Sequence, residues 1–340
     1  MKHTNRNVAR WAGLLLVMMV TIPASAQQEK LAQTGMKFLS LSLDSRAAAL
    51  GDAVTAAEGG AEMLFYNPAG MANVDKALSV SFGMTEWIAD IRYEQASLAI
   101  RPAGGRFGVF GFSLASVDYG DIQGTMWADT ESGYMDTYAF RPSAMAAGIG
   151  YARAVTDRFS FGLHAKYARQ DLGSHVTSFG RNGTWLREGF DLGVWAYDFG
   201  VLYKTGYKSL NFAFSARNFA KELEYVEEAF QLPLTLKMGL QMDVLDVFRT
   251  STGGTQSLTL AIDAETPRDY HEQIKVGLEY ALMDMIYLRA GYVTPTDEQG
   301  LNLGVGVRQE LGGFRIKADY AYTDFGVFSD VQRLSVSISR

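Results

Sequence analysis

Four histidines, 37 acidic residues and no cysteine bound the chemistry open to this 340-residue chain. His3, His164, His175 and His271 lie far apart, without the spacing that brings two imidazoles onto one metal. Lacking cysteine, the chain can form no disulfide, thiolate metal site or lipid-anchored terminus. Asp263, Glu265 and Asp269 form an acidic group near one connection. Their oxygens are the kind that calcium takes, although solvated loop acids have the same composition. No Gly-x-Ser-x-Gly elbow or phosphate-binding glycine loop occurs, and no motif links a serine, a histidine and an aspartate. The reading is therefore non-enzymatic, with no cofactor and no metal. The 31 lysines and arginines are scattered in a chain of net charge -6, which argues against a nucleic-acid surface. Trp87, Trp127, Trp185 and Trp195 suit an interface belt or loops better than stacking platforms.

The elements that carry these residues start with an export signal. Lys2, Arg6 and Arg10 precede an apolar run from Trp11 to Ile22, and Ala24-Ser25-Ala26 fits a small-residue cleavage site. The run is about a dozen residues, whereas a spanning helix needs roughly twenty. Residues 1–26 are thus read as a signal peptide, with Gln27 opening the mature chain. Residues 27–76 are rich in alanine and glycine and show no sustained strand period.

From residue 77 onward, alternation of apolar with polar or small residues dominates. Leu234, Leu236, Met238, Leu240 and Met242 oppose Thr235, Lys237, Gly239 and Gln241. Ile274, Val276, Leu278 and Tyr280 oppose Lys275, Gly277 and Glu279. Strand side chains point to alternate faces, so each such segment has an apolar and a wet side. The pattern predicts strands at 77–85, 92–101, 105–117, 143–155, 158–170, 195–204, 208–217, 232–243, 256–264, 272–281, 284–293, 301–311, 313–323 and 331–339. About fourteen strands of about ten residues are what a tilted transmembrane barrel requires. The expectation is an all-β protein: a transmembrane antiparallel β-barrel over 77–340 in a bacterial outer membrane, preceded by an N-terminal plug segment over 27–76.

The connections carry a second pattern. Tight ones, such as Thr156-Asp157, Met283 and Gly312, alternate with long polar ones at 118–142, 171–194 and 218–231. Barrels of this type have short periplasmic turns and long outer loops, which places both termini in the periplasm. Connection 244–255 breaks the pattern and suggests a short helix. The phase of 105–117 also breaks, because Phe107 and Val109 give way to Phe110, Phe112 and Leu114, which suggests a bulge. Arg340 is an atypical last residue where outer-membrane barrels commonly end in an aromatic.

Between signal and wall lie Ser45-Arg46-Ala47-Ala48-Ala49-Leu50-Gly51-Asp52 and Tyr66-Asn67-Pro68-Ala69-Gly70. This pairing resembles the N-terminal signature of the PorV/PorQ family within the FadL-like group of outer-membrane barrels. The resemblance implies a fourteen-stranded wall whose N-terminal segment folds into the lumen as a hatch. The matching positions are Arg46, Gly51, Tyr66, Asn67, Pro68, Ala69 and Gly70. Asn67 before Pro68 favours a tight turn. The resemblance further implies a role in type IX secretion, handling cargo with a C-terminal sorting domain, with loops 118–142, 171–194 and 218–231 as the cargo surface. The alternative is a FadL-like channel for hydrophobic small molecules, releasing them through a lateral gap at strand 105–117. The implied partners are outer-membrane lipid, secretion components and exported cargo on the first reading, and hydrophobic small molecules on the second.

Overall fold

The computed structural model describes residues 34–179, 185–224, 228–248, 256–328 and 330–340. The expected signal peptide and residues 27–33 of the expected plug segment lie outside them. The chain forms fourteen long strands: β1 (Leu78–Glu86), β2 (Arg92–Ile100), β3 (Val109–Asp118), β4 (Ser143–Ala154), β5 (Phe159–Phe179), β6 (Trp185–Lys204), β7 (Asn211–Ala220), β8 (Thr235–Asp243), β9 (Gln256–Pro267), β10 (Gln273–Leu282), β11 (Ile286–Thr294), β12 (Asn302–Leu311), β13 (Phe314–Thr323) and β14 (Val331–Ser339). Each pairs antiparallel with its sequence neighbours, and β1 pairs with β14 from Ser79↔Ser339 to Glu86↔Gln332, so the wall closes on itself. Closure leaves no strand edge unpaired, the condition for placing backbone in hydrocarbon.

Alternation assigns the two faces. Phe110, Phe112 and Leu114 on β3, Leu278 on β10 and Val305 and Val307 on β12 point outward and are exposed. Their neighbours Ser113, Lys275, Glu279 and Arg289 point into the lumen and are buried. An apolar outer face over a polar lumen is the arrangement that a lipid surround selects. Among the described residues no helix is long and apolar enough to cross a membrane.

Three expectations are corrected. Strand 105–117 begins only at Val109 and then alternates without a break. It pairs with β2 from Arg92↔Asp118 to Ile100↔Phe110 and with β4 from Val109↔Ala152 to Asp118↔Ser143. The apparent phase slip arises because Phe107 belongs to the preceding turn, which Gly104, Gly105 and Gly108 take through positive φ. No lateral gap opens there. Register shifts lie elsewhere: two along the β5–β6 pairing, and one between β6 and β7, where pairing steps from Tyr197↔Phe219 to Phe199↔Ala216 and sets Asp198 against both Arg217 and Asn218.

The third correction concerns 171–194, most of which is strand. β5 and β6 run 21 and 20 residues, about twice the length of most others. At roughly 3.3 Å per residue, about 30 Å of ribbon stands clear of the wall at its long-connection end. One side of this ribbon packs on connection 118–142, where Phe140 meets His175 with centroids 4.2 Å apart and Arg187 lies over Tyr138, so its sequence does not carry the alternation of the wall. Connection 244–255 does hold a short helix, Leu245–Phe248.

Replacing Leu278, which faces outward midway along β10, with arginine is expected to cost about 2–4 kcal/mol of folding stability. Reversible urea unfolding in lipid vesicles measures this, and a change near zero would contradict the assignment of the outer face.

Candidate functional site

Residues 34–76 contain only short turns of helix, and they touch the wall from the inside on nearly every side. Helix Ser45–Ala49 packs against β11, β12, β13 and β14. The 3-10 turn Ala61–Phe65 packs against β1, β2 and β3, and the turn Pro68–Asn73 against β4, β5 and β6. Only a segment within the lumen can meet inward-facing residues of so many strands.

Glycine and alanine permit this approach. A Cβ on Gly162 of β5 would run into the backbone of Pro68 and Ala69, and one on Gly291 of β11 into Leu50 and Gly51. Ala49 is fully buried against Ala321 of β13. Gly51 ends the helix at φ 63, a left-handed conformation that suits a residue without Cβ.

Polar contacts fix the register of the segment. Asp44 caps the helix by accepting from the Ala47 amide at 3.1 Å. Ser45 donates its amide to Ser335 Oγ at 2.9 Å. Arg46 donates from Nε and Nη2 to the two oxygens of Glu279, each at 3.0 Å, a bidentate pair. Glu279 also accepts from Arg289 at 2.6 Å, and Arg289 donates to Asp319 at 2.7 Å. A second ionic group joins Asp52 to Lys237 and Lys275, and both lysines also meet Glu265. Each charge is thus paired with an opposite one, which a buried charge requires.

The second half of the motif is equally engaged. Tyr66 lends its hydroxyl oxygen to the Asp44 amide at 2.9 Å, and its carbonyl accepts from Ser215 Oγ at 2.9 Å. Asn67 donates to the Thr55 carbonyl at 2.8 Å and accepts from the Ala69 amide at 3.0 Å, capping the turn that Pro68 opens. Gly70 receives the Gly59 amide on its carbonyl. All seven motif residues therefore lie at the contact between segment and wall or brace the segment internally.

Above the segment, at the long-connection end, is a cavity of about 560 Å³. Its floor includes Asp52 and Lys275, its sides Val293 and Leu41, and its rim Trp87 and Phe325. Trp87 and Phe325 meet edge to face with centroids 4.9 Å apart. Among the sequence candidates for calcium, Asp269 lines this cavity and accepts from Thr34 at 2.5 Å and from Lys37 at 2.6 Å. Asp263 accepts from the Thr55 amide, and Glu265 holds the two lysines. The three acids turn to different partners, and no group of three metal-binding side chains comes together among the described residues.

One arrangement escaped sequence reasoning. Ser113 on β3, His164 on β5 and Asp198 on β6 form a line: Ser113 Oγ to His164 Nε2 is 2.8 Å, and His164 Nδ1 to Asp198 is 2.9 Å. The three are buried, and Asp198 is shared with the Lys166 ammonium and the Asn218 amide. The connectivity matches that of a hydrolase relay. Here it fastens the β6–β7 bulge, and Gly148 leaves room for the imidazole to reach across β4.

Burial, with Glu62 and Asp319 nearby, pushes the Asp44 carboxyl from 3.8 up to about 6. Between those values the folded chain holds a proton that the unfolded chain releases, so stability falls as pH rises through this window. Asp44→Asn keeps the cap oxygen and is expected to flatten the dependence of the unfolding midpoint between about pH 4 and 6. An unaltered slope in the variant would remove Asp44 as its source.

No protein-family model matches the chain, and no curated protein matches it. Its fold, however, is shared with solved structures. The toluene transporter TodX of Pseudomonas putida aligns with a TM-score of 0.55 at 14% identity, covering 86% of this chain and 96% of that one. A structure described as the CymD monoaromatic hydrocarbon channel aligns at 0.56 and 13%, covering 87% and 96%. A Pseudomonas aeruginosa FadL homologue aligns at 0.54 and 13%, covering 87% and 97%. At these identities the likeness is one of fold: the chain is a closed fourteen-stranded barrel with the fold of these structures.

Proposed function

We propose that this chain is an outer-membrane channel for hydrophobic small molecules, closed by a hatch formed from residues 34–76. The observation that carries the reading is the mouth cavity, whose floor is the N-terminal segment itself. A molecule entering from the long-connection side comes to rest on the segment that blocks its way. The structural relatives described as toluene and monoaromatic hydrocarbon transporters support this choice. They favour the reading that the sequence placed second. The type IX secretion reading, with its cargo and secretion partners, rests on the PorV/PorQ motif alone. Export by a signal peptide over 1–26 and the orientation with both termini in the periplasm belong to the same proposal.

Mechanistically, the wall is paired on both sides of every strand, so passage depends on the hatch. Its grip on the wall is polar through Arg46, Asp52, Ser45 and Asn67, and apolar where Phe38, Leu39 and Leu43 pack with Tyr93 and Val117 and where Leu64 and Met71 pack with Val109 and Ala152.

The chain has no cysteine of its own, and Ser45 Oγ lies 2.9 Å from Ser335 Oγ, so Ser45→Cys with Ser335→Cys offers a unique tether between hatch and wall. Cells carrying the wild-type chain are expected to take up a labelled monoaromatic hydrocarbon faster than cells without it. Oxidising the double variant should abolish the gain, and reduction should restore it. Equal uptake with and without the chain would sink the channel; uptake indifferent to the tether would remove hatch movement from the mechanism.

A further inference from the structure

On the outer face of the wall, strand register lines up two rows of outward side chains across β3 to β8. Phe110, Tyr151, Leu163, Phe199, Ala216 and Leu236 form one row, each the pairing partner of the next. Phe112, Ile149, Ala165, Tyr197 and Phe219 form the other in the same way. The register shift in β7 buries Arg217 and Asn218, so Ala216 and Phe219 both stay on the outer face. Between the rows lies a groove of about 860 Å³, floored by Gly111, Gly150, His164 and Asp198. The last two turn their side chains to each other inside the wall, so the groove meets their backbone. Ala165 stands between Ile149 and Tyr197, and Ala216 between Phe199 and Leu236, so the groove widens at two points.

The form of the groove indicates its occupant. Six strands at about 4.8 Å spacing make it about 24 Å long. With strands tilted about 40° from the barrel axis, a row across them rises about 15 Å, half of a hydrocarbon core about 30 Å thick. That is the depth of one leaflet, and it suits an extended acyl chain better than a compact ring. The foot of the groove lies at the short-connection end, where Phe110 is the second residue of β3 and Tyr151 stands near the end of β4. Arg153 follows Tyr151 on the same outward face and is exposed, and Arg106 stands in the turn before β3. Neither guanidinium enters an ion pair among the described residues. A phosphate at this foot meets two cations, and the hydrocarbon attached to it meets apolar walls.

We propose that this outer groove binds one phospholipid, with an acyl chain between the two rows and the phosphate at Arg153. The inference goes beyond the channel reading and does not depend on it. Dipalmitoyl phosphatidylglycerol and dipalmitoylglycerol share their acyl chains and differ in the phosphate-bearing headgroup, so they serve as probes. Native mass spectrometry of the purified full-length chain, delipidated in detergent, reads the binding of each. The wild-type chain is expected to bind the phospholipid about ten-fold more tightly than dipalmitoylglycerol. Ala165→Phe with Ala216→Phe fills the groove and should weaken both lipids about ten-fold. These changes add apolar surface on the lipid face, which a barrel wall accommodates. Arg153→Gln should bring the phospholipid close to dipalmitoylglycerol and leave the latter unchanged. Ala290→Phe, between Leu278 and Leu303 on the far side of the barrel, should alter neither. Undiminished phospholipid binding with the groove filled would overturn the proposal, and so would an equal loss in Ala290→Phe. Equal affinity of the wild-type chain for the two lipids would remove the phosphate from Arg153 and overturn it as well. A wild-type dimer that disappears when the groove is filled would give the groove to a second copy of the chain instead.

Discussion

The ion pairing between Arg46 and Asp52 on one side and the lumen wall on the other is the constraint on which the rest of the molecule depends. The wall carries Lys237, Glu265, Lys275, Glu279, Arg289 and Asp319 on its inner face, all buried or nearly so. A buried charge without a partner costs several kcal/mol. Arg46 gives Glu279 its bidentate partner, and Asp52 joins Lys237 to Lys275. Removing either leaves its partners to the remaining wall charges. Segment and wall are therefore one electrostatic unit, although their secondary structures have nothing in common.

Glycine placement is the steric counterpart. Gly162, Gly200 and Gly291 come from three different strands, and each faces a different part of the N-terminal segment. A wall optimised for strand propensity would place branched residues there. The chain gives up that preference so that Pro68, Asn67 and Gly51 can approach the backbone.

How much of this was legible in the sequence depended on contrast between environments. Strands such as β8 and β10 stood out because lipid and lumen impose opposite demands on alternate residues, and Leu278 and Glu279 show that contrast in adjacent positions. The ribbon of β5 and β6 was invisible because it stands clear of the wall and packs on Phe140 and Tyr138 of a connection instead of alternating between two wall faces. The motif from Tyr66 to Gly70 could be recognised, but not the Tyr66 hydroxyl under the Asp44 amide, which depends on tertiary placement. Likewise, the line from Ser113 to Asp198 exists only through strand register and one glycine at 148. The phase slip at Phe107 shows the opposite hazard: a turn residue read as strand imitates a bulge.

The polar lumen has an electrical consequence. Stripped of residues 34–76, the same wall would enclose a bore lined by lysine, arginine, aspartate and glutamate, which water would flood and salt would cross. Residues 34–76 therefore insulate one end of the barrel from the other as well as filling it. The many small anchors along the segment, from Lys37 on Asp269 to Asn67 on the Val201 carbonyl, spread that insulation over its length.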